Sequence, residues 1–511
     1  MVNTVKNDVA ASIVVFFVAL PLCLGIALAS GAPLFSGIIA GIVGGIVVGL
    51  ASGSALGVSG PAAGLAVIVL NALSVLNSWS AFLLAVVLSG GMQLMMGYAR
   101  TGFIAHFFPS SVIKGMLTGI GLLIILKQIP HAFGYDKDYV GELSFFQPDG
   151  ETTLSSLIKM FDAFTPGAVT ISLISIILLI IWDKVLTKKH KLFQVLQGPV
   201  AVVILGVIVN MLFKIHAPEF YLNQEHLVSL PVASSVTDFF HQFTMPNLSE
   251  ITNYLVWKVA IVLALVASLE TLLCVEATDK LDPYKRITPT NRELKAQGLG
   301  NIVSGMIGGL PITQVIIRSS ANITFGGQTK LSTILHGIYI LISSIAIANW
   351  LNMIPLASLA AILIFIGYKL ANPALFKRMI HLGDEQFVPF IATVIGILAT
   401  DLLIGILIGI GFGIFYTLRH SYRNSYYMKK MSSKENTHII HHLTLAEEVS
   451  FFNKASIIKA LDEIPAGSGV IIDCSNSKSI AYDVVEFIKD YKSNAQRKNI
   501  SVETIGFIEP N

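Results

Sequence analysis

Charge is what this sequence has least of. Of its 511 residues only 13% are Asp, Glu, Lys or Arg, against about 25% in soluble globular proteins. That scarcity argues against a soluble enzyme. The charges nearly cancel, leaving a net +3, too little to hold a nucleic acid partner. Cysteine is scarce as well. Cys23, Cys274 and Cys474 lie far apart and form no CxxC pair, which excludes a disulfide framework and a cysteine metal set. No HExxH, nucleophile-elbow or phosphate-loop pattern is present, so no catalytic, metal or cofactor site is expected. What remains is apolar: 54% of the residues, with a mean hydropathy of +0.72. A bilayer crossing needs about 20 apolar residues, so the length can hold a dozen or more.

Apolar stretches recur over 9–29, 35–52, 60–76, 80–98, 110–129, 167–183, 194–213, 253–276, 296–308, 312–326, 331–350, 354–368, 386–400 and 402–418, fourteen in all. The first run, Val9–Ala29, is longer than the apolar core of a secretory signal, about 7–15 residues. It reads as a retained membrane helix. The segments 60–76, 296–308 and 312–326 are short and Gly-rich or open with Pro. Such interrupted segments, at matching places in two halves, point to a transporter's binding site.

Loop charge tests the count. Lys184, Lys188, Lys189 and Lys191 follow segment six, and Lys280, Lys285, Arg286, Arg292 and Lys295 follow segment eight. Lys369, Lys377 and Arg378 follow segment twelve, and Arg419, Arg423, Lys429 and Lys430 follow the last. Fourteen crossings put all of these on one side. The other side carries Asp136, Asp138, Glu142, Asp149, Glu151 and Asp162 against Lys137 and Lys159, then Glu219, Glu225, Asp238 and Glu250. Cytoplasmic loops are the basic ones, so both termini are expected in the cytoplasm.

Beyond about Lys430 the composition changes. THIIHHLTL, GVIIDCS and ISVETIGFI read as strands, and KASIIKALDEI and AYDVVEFIKDYKSNAQRK as helices. Alternating strands and helices imply a small sheet covered by helices. The expected domains are a membrane domain at 1–430 and a cytoplasmic α/β domain at 431–511.

The membrane part divides into repeats at about 8–214 and 253–420. With seven crossings each, the second must insert upside down relative to the first. The third segment opens GVSGPAAG, with Pro61 after Gly60, and its counterpart opens GGLPITQ, with Pro311. Proline suits a helix's first turn, so each is expected to begin a half-helix. Two such amino termini meeting near the midplane would converge their free N–H groups and positive dipole ends on an anion. A Gly-Pro that merely separates helices is the plainer reading of each one alone.

Two charges lie where none should. Glu270 sits deep in segment eight, within VALVASLETLLCVEA, and Arg318 two turns after Pro311. An ionisable group inside a membrane is costly unless paired, neutralised or hydrated. A carboxyl group balanced between burial and a nearby cation can carry a proton. Arginine keeps its charge, and its planar fork matches oxyanions. A plain Glu270–Arg318 ion pair, or a protonated Glu270 on a backbone carbonyl, are the structural alternatives. Glu276 and Asp279 read as interfacial. His438, His441 and His442 lack partners for a metal site, and Gly37–Gly41 reads as close helix packing.

These residues bear a resemblance. SGPAAG at 59–64, SLETLL at 268–273, NRELKAQGLGNI at 291–302, GGLPITQVIIRSSANI at 308–323 and GGQTKLS at 326–332 resemble the SulP anion transporters, relatives of the solute carrier 26 proteins. The carboxy-terminal segment is similar to a short STAS domain. The resemblance implies an all-α polytopic membrane protein of about fourteen segments in a 7+7 inverted repeat, with core and gate domains. It implies a homodimer working by an elevator-like movement in the bacterial inner membrane. The family's site transfers by position to Ser59, Gly60, Pro61 and Ala62, and to Gln314, Val315, Ile316, Ile317 and Arg318. Sodium-coupled bicarbonate members carry Asp, a hydroxyl residue and Thr where this chain has Glu270, Cys274 and Ile316, and neither Cys nor Ile offers sodium a hard side-chain oxygen. Proton-coupled members carry the Glu. The STAS-like segment keeps Asp473 and Ser475 of that domain's phosphorylation motif, but Ala481 and Asp483 replace its Asp and Ser. That points to a structural, dimer-stabilising module.

The expectation is therefore a proton-coupled carrier of a sulfate-type oxyanion, with Glu270 taking the proton. Sodium-coupled bicarbonate uptake and proton-coupled dicarboxylate uptake are the alternatives within the family. A passive channel or a voltage-responsive motor-like protein stands outside the carrier class.

Overall fold

The computed structural model describes residues 2–137, 145, 150–187, 193, 198–229, 242–346, 348–432 and 439–507. Asp138, Glu142, Asp149, Lys188, Lys189, Lys191, Asp238 and His438 lie outside the described residues, as does the start of segment seven. The chain forms two compact units, Met1–Ile410 and Gly411–Asn511.

Each of the fourteen apolar segments contains a helix. In the first half these are α1 (Val2–Ala29), α2 (Leu34–Val43, continued by π-helical and α-helical turns to Ala51), α3 (Ala66–Leu76, entered through the turn Ala63–Leu65), α4 (Trp79–Tyr98), α5 (Ser110–Phe133), α6 (Pro166–Ile181) and α7 (Gly198–His216). In the second half they are α8 (Tyr254–Leu281), α9 (Thr290–Ile307), α10 (Ile316–Thr324), α11 (Lys330–Ala346), α12 (Leu356–Leu370), α13 (Asp384–Ala399) and α14 (Leu402–Arg423). Among the described residues, nine helices are long and apolar enough to cross a membrane, and the stretches Ala63–Leu76 and Lys330–Ile345 are shorter apolar helices. The ends have local causes. Ser78 and Asn253 cap α4 and α8 through their side chains, and Thr165 precedes a proline at the first turn of α6, the position where a missing N–H costs least. Gly308, at φ +95°, ends α9, a conformation that costs glycine little.

The helices pack as two groups. In one, α4 lies along α9 and α8, and α1 along α2, α10 and α11. In the other, α5 packs on α12 and α13, and α6 on α7 and α12. Close approach within the first group depends on missing side chains. A Cβ on Gly37 would stand 2.0 Å from the Cys23 carbonyl oxygen, and one on Gly41 2.6 Å from the Cys23 Sγ. The Gly37–Gly41 pair is thus a packing face of α2 on α1, as its spacing suggested.

Two expectations are corrected. Neither proline begins a half-helix. Pro61 ends a three-residue strand, β1 (Ser59–Pro61), and Pro311 precedes another, β2 (Ile312–Gln314). The strands pair antiparallel, Ser59 with Gln314, Gly60 with Thr313 and Pro61 with Ile312. The helices start only afterwards, at Ala63 and Ile316. Segment nine also begins earlier than its hydropathy suggests, because the polar run TNREL forms the first turn of α9.

In the second unit, β3 (Tyr426–Ser432), β4 (Ile439–Leu445), β5 (Gly469–Asp473) and β6 (Ser501–Ile505) form one sheet in that order. The first pair is antiparallel and the others parallel. Helices Lys454–Asp462 and Tyr482–Ala495 give it a core through Ile457, Leu461, Val484 and Ile488. β3 is a strand that the sequence reading does not anticipate. His441 and His442 occupy successive, hence opposite-facing, positions on β4, and no side-chain group that could hold a metal occurs among the described residues.

Candidate functional site

The strand pair brings together what the sequence separates by some 250 residues. The Val315 N–H donates to the Val58 carbonyl at 2.9 Å, and the Val58 N–H donates to the Ser319 hydroxyl at 2.9 Å. The starts of α3 and α10 are thereby tied to one ribbon. Next to it is a cavity of about 30 Å³. Ala63 and Gly64 line it from the start of α3, and Val315, Ile316, Ile317 and Arg318 from the start of α10. Leu22 and Ile26 of α1, Ile120 of α5, Glu270 and Cys274 of α8, and Leu402 complete the wall. Two helix amino termini, whose first N–H groups have no partner within their own helix, thus border one small space that Glu270 and Arg318 also line among mainly apolar neighbours.

Of the residues named from the sequence, Val315, Ile316, Ile317, Arg318 and Glu270 line this cavity. Ser59, Gly60, Pro61 and Gln314 form the ribbon behind it, and Ala62 joins β1 to the helix. The Gln314 side chain turns away and donates to the Thr278 hydroxyl at 3.0 Å. Ala63, Gly64 and the α1 residues are lining groups that sequence reasoning missed. The SGPAAG run held the signal for the first two, one helical turn past the proline.

Glu270 is 8% exposed, and its Oε2 has no hydrogen-bond partner. Its carboxyl group lies against Gly64, where a Cβ would stand 3.1 Å from both oxygens. Arg318 is fully buried. Its Nη2 donates to the Cys23 Sγ at 3.3 Å, while Nε and Nη1 have no partner. The guanidinium sits against β1, so that a Cβ on Gly60 would meet Nη1 at 2.1 Å. The Glu270–Arg318 ion pair weighed from the sequence is not formed. Both groups lie against the stretch from β1 into α3, the guanidinium at Gly60 and the carboxyl at Gly64, and each keeps unused hydrogen-bonding capacity beside the cavity both line.

Glu276 and Asp279, read from the sequence as interfacial, do not line the cavity. Glu276 pairs with His106 at 3.3 Å, and Asp279 accepts both the Thr288 N–H and hydroxyl at 2.7 Å. Away from the cavity, Asp136 bridges two imidazoles, His131 at 2.7 Å and His226 at 2.6 Å. Burial pushes the Asp136 carboxyl up, but hydrogen bonds from both rings more than offset this and hold it below its ordinary value. The bond to Asp136 in turn raises His226.

A many-helix membrane fold with two broken segments meeting at a buried, partly unsatisfied polar site defines a multi-pass transport protein rather than an enzyme. Residues 5–393 match the Sulfate permease family, and the chain belongs to that family of anion transporters. A putative sulfate transporter of Bacillus subtilis, YvdB, is 25% identical over 402 residues, 78% of this chain and 71% of that protein. The bicarbonate transporter BicA of a Picosynechococcus strain is 23% identical over 412 residues, 79% of this chain and 68% of that one. Sulfate transporter 4.1 of Arabidopsis thaliana is 28% identical over 368 residues, covering 70% of this chain and 50% of its own. Among solved structures, murine Slc26a9 in an inward-facing state superposes with a TM-score of 0.66 at 14% identity, over 98% of this chain and 86% of that one. The BicA transmembrane domain gives 0.55 at 19%, over 80% and 97%. These likenesses establish the fold.

Proposed function

We propose that the chain is a proton-coupled secondary transporter of a sulfate-type oxyanion. In this reading the anion lies in the cavity between the amino termini of α3 and α10, and Arg318 supplies the fixed positive charge. The observation that carries it is the convergence of Ala63–Gly64 and Val315–Arg318 on one cavity beside Glu270. Backbone N–H groups at two helix starts favour an anion without choosing among oxyanions, so bicarbonate and dicarboxylates stay as alternatives for the panel below. Glu270 takes the coupling proton. Its carboxyl has no cation in contact, and a charge there would repel an incoming anion. Protonation removes that repulsion, which links anion entry to proton uptake. Cys274 and Ile316, both in the wall, offer sodium no hard side-chain oxygen.

The helix groups support an elevator-like movement. A cavity of about 380 Å³ separates Pro21–Leu28 of α1 from Asp136, Gln224–Ser229 and Leu356. Another, of about 360 Å³, separates Asn7 and the end of α10 from α6, the start of α7 and Phe365. Both ends of α1 thus border open space toward the other group. The basic loops put both termini in the cytoplasm of a bacterial inner membrane, and the second unit serves as a STAS-like module that stabilises a homodimer.

The test is uptake into proteoliposomes with labelled sulfate, bicarbonate, oxalate and succinate, with proton and sodium gradients imposed separately. Accumulation of sulfate driven by an inward proton gradient, with no response to sodium, is expected. Glu270→Gln should abolish the proton-driven accumulation while retaining exchange. Unchanged proton dependence in that variant removes Glu270 from the mechanism.

A further inference from the structure

The ribbon has a support that carries no charge into the cavity. Because Val315 and Val58 are hydrogen-bonded across the pair, alternation in an antiparallel ribbon turns the backbone groups of Ile312 and Gln314 outward. Outward N–H and C=O groups buried in a membrane core need partners. α9 supplies them. Asn301 accepts the Ile312 N–H at 2.6 Å on its Oδ1 and donates to the Ile312 carbonyl at 3.0 Å. Its side-chain amide therefore replaces the neighbouring strand that β2 lacks. Ser304 donates to the Leu310 carbonyl at 2.7 Å. One turn the other way, Gln297 donates to the Ser59 hydroxyl of β1 at 2.7 Å and to Glu293 at 2.9 Å. Glu293 accepts the Ser52 hydroxyl at 2.5 Å.

Glu293, Gln297 and Asn301 are spaced i, i+4, i+8, so they line one helix face, with Ser304 three residues on. They are all at most 1% exposed. The same face is locked from behind. Asn301 also donates to the side-chain Oε1 of Gln93, on α4, at 2.7 Å. α4 and α9 meet through Gly90 and Gly298, where a Cβ on either would stand within 2.7 Å of the other's carbonyl oxygen.

We propose that this polar face of α9 is a positioning element for the anion site. It holds β1 through Ser59 and β2 through Ile312 on rungs of one rigid helix, which fixes the spacing of the two helix amino termini. Apolar packing cannot set such a spacing sharply, whereas a bidentate amide–peptide pair does so to within a hydrogen bond's tolerance. The inference rests on the reading that the anion binds between α3 and α10. A displacement of the order of 1 Å between the termini costs binding and rate heavily, so the rungs should govern affinity for the anion and not only folding.

The experiment measures concentration dependence of labelled sulfate and labelled bicarbonate uptake in proteoliposomes, normalised to purified folded protein. Asn301→Leu removes the β2 rung. Ser304→Ala removes the lesser one and should fold even if Asn301→Leu does not. Ala63→Trp fills the cavity from a residue outside the rungs and serves as the control. Expected are a half-saturating concentration raised about tenfold or more in Asn301→Leu and about threefold in Ser304→Ala, and no uptake in Ala63→Trp. Wild-type half-saturation in both rung variants, with only the yield of folded protein lowered, overturns the positioning role while leaving the site intact. Normal uptake by Ala63→Trp overturns the site itself, and the positioning role with it.

Discussion

At the scale of single residues, Arg318 is the least replaceable group. It is fully buried, and two of its nitrogens have no partner. A buried cation left in that state is costly unless something negative completes it, and an anion in the adjoining cavity would. Arg318→Ala should raise the half-saturating anion concentration about tenfold or more, checked by titrating uptake. Undiminished affinity would make Arg318 a structural group. The Asp136 bridge has a different readout. His226 is raised, so its contribution to stability is present below about pH 6.5 and fades as pH rises through its shifted value. Asp136 is lowered, so its contribution is present above its ordinary value and fades only as pH falls through the shifted one. The bridge is therefore strongest in mildly acidic solution. His226→Ala should lower the melting temperature in detergent near pH 6 and have less effect near pH 8.5, read by thermal unfolding across that range. The sequence showed Glu270 and Arg318 because charge is so rare in such a chain. It hid the bridge, because histidines and an aspartate in an acidic loop look like ordinary solvated residues.

At the scale of elements, hydropathy located a helix in every one of the fourteen segments but misread how three of them begin. A strand of three residues, such as Ser59–Pro61 or Ile312–Gln314, is too short to display a two-residue period. Its pairing partner lies in the other half of the chain. Helix α9 was clipped at its start for another reason. Its first turns, TNRELK, are polar though Glu293 among them is buried, so a hydropathy reading starts the segment only at Ala296. The GxxxG pair was legible because missing side chains at helical spacing have few other uses. Gly37→Ala should cost about 2 kcal/mol or more of stability, since its Cβ meets backbone of α1 that cannot swing aside. A drop in the thermal midpoint and in the yield of folded protein checks this, and an unchanged midpoint would mean that α1 and α2 can part without loss.

At the scale of the whole molecule, the proposed transport sets one packed helix group moving against the other. Opposed amino termini, a buried carboxyl group and a fixed guanidinium form the proposed site. In the proposed movement, the cavities at the two ends of α1 give one helix group room to shift against the other. Family membership makes the chain an anion transporter, and the composition alone had already argued against a soluble enzyme. Substrate choice was not legible, because the proposed pocket would bind largely through backbone N–H groups, which read charge and shape rather than chemical identity. The most direct measurement is an anomalous-scattering structure of the protein equilibrated with selenate, a sulfate-like oxyanion visible by its edge. A single peak in the cavity between Gly64 and Ile316, within reach of Arg318 and lost in Ala63→Trp, is the predicted result. Selenate bound elsewhere while transport persists, with that cavity empty, would contradict the account.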